Sequence, residues 1–121
     1  MHLSATTPIL RIFDEVLARR FYLAYLGFEQ VFEHRFEPHL PLYMGIRQGA
    51  CSIHLSGHHG DACPGTSMRI AVDDVQAYQR TLVLRGHFHT AQVQTMPWGT
   101  RDFTVIDPFG NRLTFTTAIS L

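Results

Sequence analysis

The sequence predicts an α+β fold made of two βαβββ modules that pair around a shared cavity. Three observations carry that reading. Short stretches of alternating apolar and polar residues are interrupted twice by longer stretches with helical spacing. The two helical stretches have the same length, since Asp14 to Gly27 and Asp73 to Gly86 each span 13 steps, and the turn glycines Gly49 and Gly110 fall at nearly the same offset. A repeat of about 60 residues of this kind marks an internal duplication. Finally, residues 96–115 read as strand, tight turn, strand. The first module covers about residues 5–60 and the second about 64–121, within one domain spanning 1–121. Neither module alone could bury both faces of its sheet, so the two must pair.

The elements follow in order. Residues 8–13, Pro-Ile-Leu-Arg-Ile-Phe, form the first strand. Asp14 is placed to cap a helix, and Leu17, Phe21, Ala24 and Tyr25 make a stripe along it. Gly27 ends that helix, because a left-handed residue there suits glycine. Phe28 to Phe36 is the second strand, stopped by Pro38 and Pro41. Leu42, Met44 and Ile46 alternate along the third strand, Gly49 turns the chain, and Cys51, Ile53 and Leu55 mark the fourth. Ser56 to Thr66 is a loop rich in Gly, His and Pro. The order then repeats. Met68, Ile70 and Val72 alternate along the fifth strand, and Asp73 or Asp74 caps a helix with Val75, Tyr78 and Leu82 inside and Gly86 at its end. His87 and His89 are read on one exposed face of the sixth strand.

The last hairpin is the most specific stretch. Residues 102–106 are rich in Thr, Phe and Val, which suit a half-buried pleated surface. Asp107-Pro108-Phe109-Gly110-Asn111 is turn chemistry: proline presets φ, glycine permits positive φ, and the Asp and Asn side chains bond nearby backbone. Leu113 and Phe115 give the return strand one apolar face. Pro97-Trp98-Gly99, a strand, then Asp-Pro-x-Gly-Asn and a final strand resembles the C-terminal hairpin of the vicinal-oxygen-chelate superfamily, which includes glyoxalases, bleomycin-resistance proteins and dioxygenases. Within it the chain looks most like bleomycin-resistance proteins. Phe21-Tyr22…Leu26-Gly27-Phe28 is similar to the same group, so the resemblance covers nearly the whole chain.

Composition limits the function classes. Ten basic and ten acidic side chains balance in 121 residues, so no net field favours nucleic acid or an anionic membrane surface. No apolar run is long enough to span a bilayer, and the N-terminus lacks a charged segment followed by an apolar one. A cytoplasmic location is the expectation, and with it unpaired Cys51 and Cys63. No Ser-His-Asp or Cys-His signature is present.

The resemblance implies a metal that the residues do not favour. Enzymes of the superfamily hold a divalent ion with His or Glu, sometimes Gln, from the first, fourth, fifth and eighth strands. The matching positions here are Thr7, His54, Ser67 and Thr114. Hydroxyls are poor ligands for a transition metal, and one histidine cannot replace three or four protein ligands. No metal, no cofactor and no catalytic residue is therefore expected. His58, His59, Asp61 and nearby Cys63 have ligand types, but neighbours in a glycine-rich loop rarely converge on one ion.

Strand parity names the cavity wall: Thr7, Ile9, Arg11, Tyr43, Ser52, His54, Ser67, Arg69, Asp102, Thr104 and Thr114. The expected ligand-binding residues are Tyr43, His54, Arg69, Trp98, Asp102 and Thr114. An inward Arg69 requires a carboxylate, a phosphate or an anionic ligand. Trp98 offers a large flat surface at the cavity mouth or at a subunit contact; core filling is its plainer alternative, as an ordinary satisfied polar residue is for His54. The resulting expectation is a homodimeric protein that sequesters a small molecule, an antibiotic or toxin, as bleomycin-resistance proteins do. A neutral chain with arginines near the cavity speaks against a cationic drug such as bleomycin itself. The rival is a metal-dependent glyoxalase-like lyase or dioxygenase of the same superfamily.

Overall fold

A computed structural model of the chain describes residues 1–119. The first module runs β1 (Ile9–Arg11), α1 (Glu15–Arg19) with a π-helical continuation (Arg20–Tyr25), β2 (Glu29–His34), β3 (Tyr43–Gln48) and β4 (Cys51–Ser56). The second runs β5 (Ser67–Ala71), α2 (Val75–Arg85), β6 (Gln94–Thr95), β7 (Thr100–Ile106) and β8 (Arg112–Ala118). The sheets have the same connectivity, β1-β4-β3-β2 and β5-β8-β7-β6. In each, the first strand lies parallel to the last and the other pairs are antiparallel. This is the duplicated βαβββ arrangement that the repeat predicts.

Both helices start where side-chain chemistry starts them. Asp14 accepts from the Leu17 N–H at 2.9 Å, and Asp74, rather than Asp73, accepts from the Ala77 N–H at 3.1 Å. The first helix then widens. The Leu26 N–H reaches back five residues to the Phe21 carbonyl. The buried stripe is Ala18, Phe21, Tyr22, Tyr25 and Leu26. The expected stripe is corrected accordingly: Leu17 and Ala24 are exposed. The observed stripe keeps the i, i+3, i+4, i+7, i+8 spacing of an amphipathic helix, so it differs from the expected one in phase and not in period.

The modules meet through their helices and through the last hairpin. Tyr78 Oη donates to the Leu26 carbonyl at 2.6 Å, and Arg85 Nη1 donates to the Tyr25 carbonyl at 2.7 Å. Gly27 makes the second contact possible. Its φ is +87°, and a Cβ there would strike the Arg85 guanidinium. On the other side, the hairpin turn is pinned to the first module by Tyr22 and by Asn111 Nδ2, which donates to the Arg11 carbonyl at 3.0 Å. The core takes one face of each sheet. Leu10, Met44, Ile46, Ile53 and Leu55 come from the first, and Phe103, Val105, Leu113 and Phe115 from the second. The opposite face of each sheet carries the residues of the other parity. A cleft of about 790 Å³ has walls from both modules, running between β4 and β5.

Two local expectations change. The expected sixth strand around His87 and His89 is irregular chain, and β6 is the two-residue pairing of Gln94 and Thr95 with Thr100–Ile106. The two turn glycines also sit in unlike turns. Gln48 pairs directly with Cys51, leaving a two-residue turn, whereas Ile106 pairs with Arg112 across the longer Asp-Pro-Phe-Gly-Asn loop.

Candidate functional site

The second module collects four of the six expected residues. Arg69, Thr114 and Thr104 stand directly opposite one another across β5, β8 and β7, so their side chains share one face. Asp102, opposite Thr116, extends that face. Together with Trp98 and Met96 these residues line a pocket of about 370 Å³. Trp98 sits in the turn before β7 and is 62% exposed, so it is not core filler. The Thr104 and Thr114 hydroxyls bond each other at 2.7 Å.

Arg69 finds its carboxylate inside the chain. Its Nη2 donates to Asp102 Oδ2 at 3.2 Å and to Thr116 Oγ1 at 3.2 Å. Asp102 is only 6% exposed. Burial alone would raise its pKa, but the nearby Thr116 and Thr100 hydroxyls and the bonded, charged Arg69 guanidinium outweigh burial and lower it. Asp102 is thus held ionised, and the Arg69 side chain, half exposed, borders the pocket.

The other two expected residues lie together on the first sheet. Tyr43 Oη and His54 Nδ1 are 2.7 Å apart. Burial, reinforced by the charge of Asp61, pushes the Tyr43 phenol up. Phe32 completes a cluster that sequence reasoning missed. Its ring stands edge-on to His54, with centroids 5.2 Å apart and planes at 87°, and it stacks on Tyr43 at 6.3 Å and 18°. The register explains the cluster. Phe32, Gly45, His54 and Ile9 form one cross-strand row over β2, β3, β4 and β1. Gly45 leaves the gap into which the Phe32 ring folds, and a Cβ there would collide with that ring. The available signal was a lone glycine inside an alternating strand next to a strand with an aromatic residue. The expected site residues therefore form two groups, Arg69, Trp98, Asp102 and Thr114 on one sheet, Tyr43 and His54 on the other.

The donor set does not fit a catalytic metal. Of the four positions the resemblance points to, three offer hydroxyls, and the Thr114 hydroxyl is already bonded to Thr104. His54 has one ring nitrogen committed to Tyr43. Among the described residues, no three His, Cys, Asp or Glu side chains gather as an ion would need. In the Ser56–Thr66 loop Asp61 accepts from Ser56 Oγ at 2.6 Å, and the His58 ring packs on Phe36 with its Nε2 buried and without a hydrogen-bond partner. Cys51 and Cys63 are free thiols. Among the described residues, no helix is long and apolar enough to cross a membrane.

Comparison with known proteins adds to this geometry. The family model described as glyoxalase superfamily protein matches residues 1–120. No curated protein matches the chain. Among solved structures, a glyoxalase/bleomycin resistance protein/dioxygenase superfamily member from Sphaerobacter thermophilus is similar at 22% identity and a TM-score of 0.73, covering 96% of this chain and 98% of that one. A bleomycin-binding protein complexed with bleomycin is similar at 21% identity and a TM-score of 0.74, covering 95% and 98%. The bleomycin resistance determinant encoded on the transposon Tn5 is similar at 19% identity and a TM-score of 0.75, covering 96% and 98%. At such identities the likeness to the solved structures is one of fold.

Proposed function

The chain belongs to the glyoxalase superfamily, and from that premise we propose that it is a small-molecule-binding member that sequesters its ligand without making or breaking a bond. One observation carries the reading. At the positions where enzymes of the superfamily would hold a metal, this chain has Thr7, His54, Ser67 and Thr114, and Thr114 lines a pocket together with Trp98, Arg69 and Asp102. Such a surface can stack a planar group and hydrogen-bond it, but it offers no Lewis acid and no activated nucleophile.

The protein acts as a homodimer in this reading. Each sheet turns one face to the core and leaves the other open, and Ile9, Phe32 and Trp98 are among its exposed large apolar residues. Pairing the open face of one module with that of the other module in a second copy would enclose a groove and bring Tyr43 and His54 near Arg69, Trp98, Asp102 and Thr114. The ligand is a drug or toxin met in the cytoplasm, and the biological outcome is resistance to it. The proposed site lies within one domain, residues 1–121.

Titration with bleomycin tests the assignment, because Trp98 is the only tryptophan and reports the pocket directly. Saturable quenching of its fluorescence, with a rise in melting temperature, would support a drug-binding pocket at Trp98. No change in either at millimolar drug would remove bleomycin from the ligands it can take. Metal analysis of untagged protein tests the mechanism. Near-stoichiometric metal that is lost in His54→Ala would replace it with a metal-dependent lyase or dioxygenase.

A further inference from the structure

We propose that His54 presents Nε2–H as a hydrogen-bond donor to a neutral planar ligand carrying a carbonyl oxygen, which lies against the Phe32 ring on the open face of the first sheet. The inference rests on the reading of that face as part of a ligand-binding groove, and it names the chemistry the face selects.

The geometry of the Tyr43–His54 pair sets the tautomer. A phenol is a stronger hydrogen-bond donor than a neutral imidazole N–H, and an imidazole nitrogen is a stronger acceptor than a phenol oxygen. At 2.7 Å, Tyr43 Oη therefore donates and Nδ1 accepts. A neutral imidazole carries one N–H, so the proton sits on Nε2. Nε2 makes no hydrogen bond among the described residues, and its ring is held on two sides, by Tyr43 and by the edge-on Phe32. The donor is preorganised and unused.

The surroundings select its acceptor. Asp61 lies close enough for its charge to act on Tyr43, which works against a carboxylate or phosphate. Of the two cations of the same face, Arg47 pairs with Glu29 at 3.2 Å. The Arg11 guanidinium lies over the Phe13 ring at 4.7 Å, beside Asp14 and Glu15, with its Nη1 buried and without a hydrogen-bond partner. A cationic ligand would set its charge against an N–H donor. A neutral carbonyl oxygen answers the donor without either conflict. Phe32, 40% exposed, gives the body of the ligand an apolar wall, and Gly45 keeps that wall down against the sheet.

Long-range proton–nitrogen correlation spectra of the full-length protein test both halves. The His54 signals, assigned by their loss in His54→Gln, should show an unprotonated Nδ1 and a protonated Nε2, and Tyr43→Phe should shift Nδ1 or mix the tautomers. Acetophenone is the probe, with isopropylbenzene as the isostere without an acceptor. Acetophenone should move the His54 Nε2–H resonance several-fold more than isopropylbenzene does. Phe32→Ala, a change at a partly exposed side chain, should weaken that response at least threefold. Gly45→Ala, which pushes the ring away, should do the same, whereas His54→Gln should retain part of the affinity because its amide also donates. A proton on Nδ1, or equal responses to the two probes, overturns the proposal. Trp98 fluorescence with bleomycin is read on the other sheet, so the drug-binding reading and this one fail separately.

Discussion

The Tyr22 hydroxyl donates to Asp107 Oδ2 at 2.6 Å, joining residues 85 positions apart inside the protein. Asp107 does more than receive it. Its other oxygen accepts the Phe109 and Asn111 backbone N–H groups at 2.9 and 2.8 Å, and Asn111 Nδ2 donates to Oδ2 at 2.8 Å. Asn111 in turn holds the Arg11 carbonyl and the Thr66 N–H. The turn of the last hairpin thus ties both modules together through buried polar groups that are all answered.

Removing either partner should therefore cost stability without touching ligand binding. Tyr22→Phe leaves Asp107 with Asn111 and should cost about 1–3 kcal/mol. Asp107→Ala frees two backbone N–H groups and the phenol together and should cost more. Thermal unfolding is the measurement, and a drop of several degrees for Tyr22→Phe is expected. A melting temperature unchanged in both variants would contradict the network's role.

The same network makes the protein alkali-sensitive. Burial, then the charge and hydrogen bond of Asp107, raise the Tyr22 phenol far above its ordinary value. Burial likewise raises Tyr78, Tyr25 and Tyr43, which with Tyr22 are all the tyrosines of the chain. Above a pH of about 10 the unfolded chain loses these protons while the folded chain keeps them. Stability should then fall with rising pH, by up to about 1.4 kcal/mol per pH unit for each such group. Phenolate absorbance at high pH should rise together with unfolding, and Tyr22→Phe should flatten the slope. Tyrosines that titrate freely near pH 10 in the folded protein would refute this.

Much of this was legible because strands have a period of two. Alternation in residues 42–48 and 51–55 sent Met44, Ile46, Ile53 and Leu55 to the core and Tyr43 and His54 to the open face. Asp14 and Asp74 were legible as caps for the equally local reason that a short acceptor satisfies the first helical N–H groups. What stayed hidden depended on distant partners. The π-helical turn is stabilised by the burial of Phe21, Tyr22 and Tyr25 against the second module, not by local propensity. Phe32 reaches His54 only because Gly45, on the neighbouring strand, stands opposite it. The partner that answers Arg69 lies 33 residues away, at Asp102.

Gly45→Ala tests that last kind of relationship on the first sheet. The new Cβ meets the end of a flexible, partly exposed side chain, so the ring should swing out and the fold survive. The melting temperature should change by no more than a few degrees, since alanine also gains over glycine in a strand. The ring-current shift that Phe32 imposes on His54 should vanish. A retained shift would mean that the ring does not rest over Gly45.

Asp102 governs part of the acid limb of stability. Its pKa is lowered on folding, so its contribution is present above the unfolded value near 3.9 and is lost as pH falls through the folded one. Asp102→Asn should flatten the loss of stability below a pH of about 4. At neutral pH it should cost only about 1 kcal/mol, because Arg69 is half exposed and its ion pair is screened. An unaltered acid limb in the variant would assign the shift to other carboxylates.

Trp98→Ala separates binding from folding. The side chain is largely exposed beside the pocket, so its removal should leave the melting temperature within about two degrees of the parent. Stacking of a planar ligand is worth about 0.5–1.5 kcal/mol beyond the area it buries, and the indole supplies much of that area as well. Affinity for bleomycin should therefore fall by roughly tenfold or more, a change of about 1.4 kcal/mol. Salt gives an independent reading. The chain carries no net charge, so long-range attraction to a cationic drug is absent and affinity should vary little with ionic strength. A steep salt dependence would move the contact to an acidic surface away from Trp98, and unchanged affinity in Trp98→Ala would remove the tryptophan from the ligand's path.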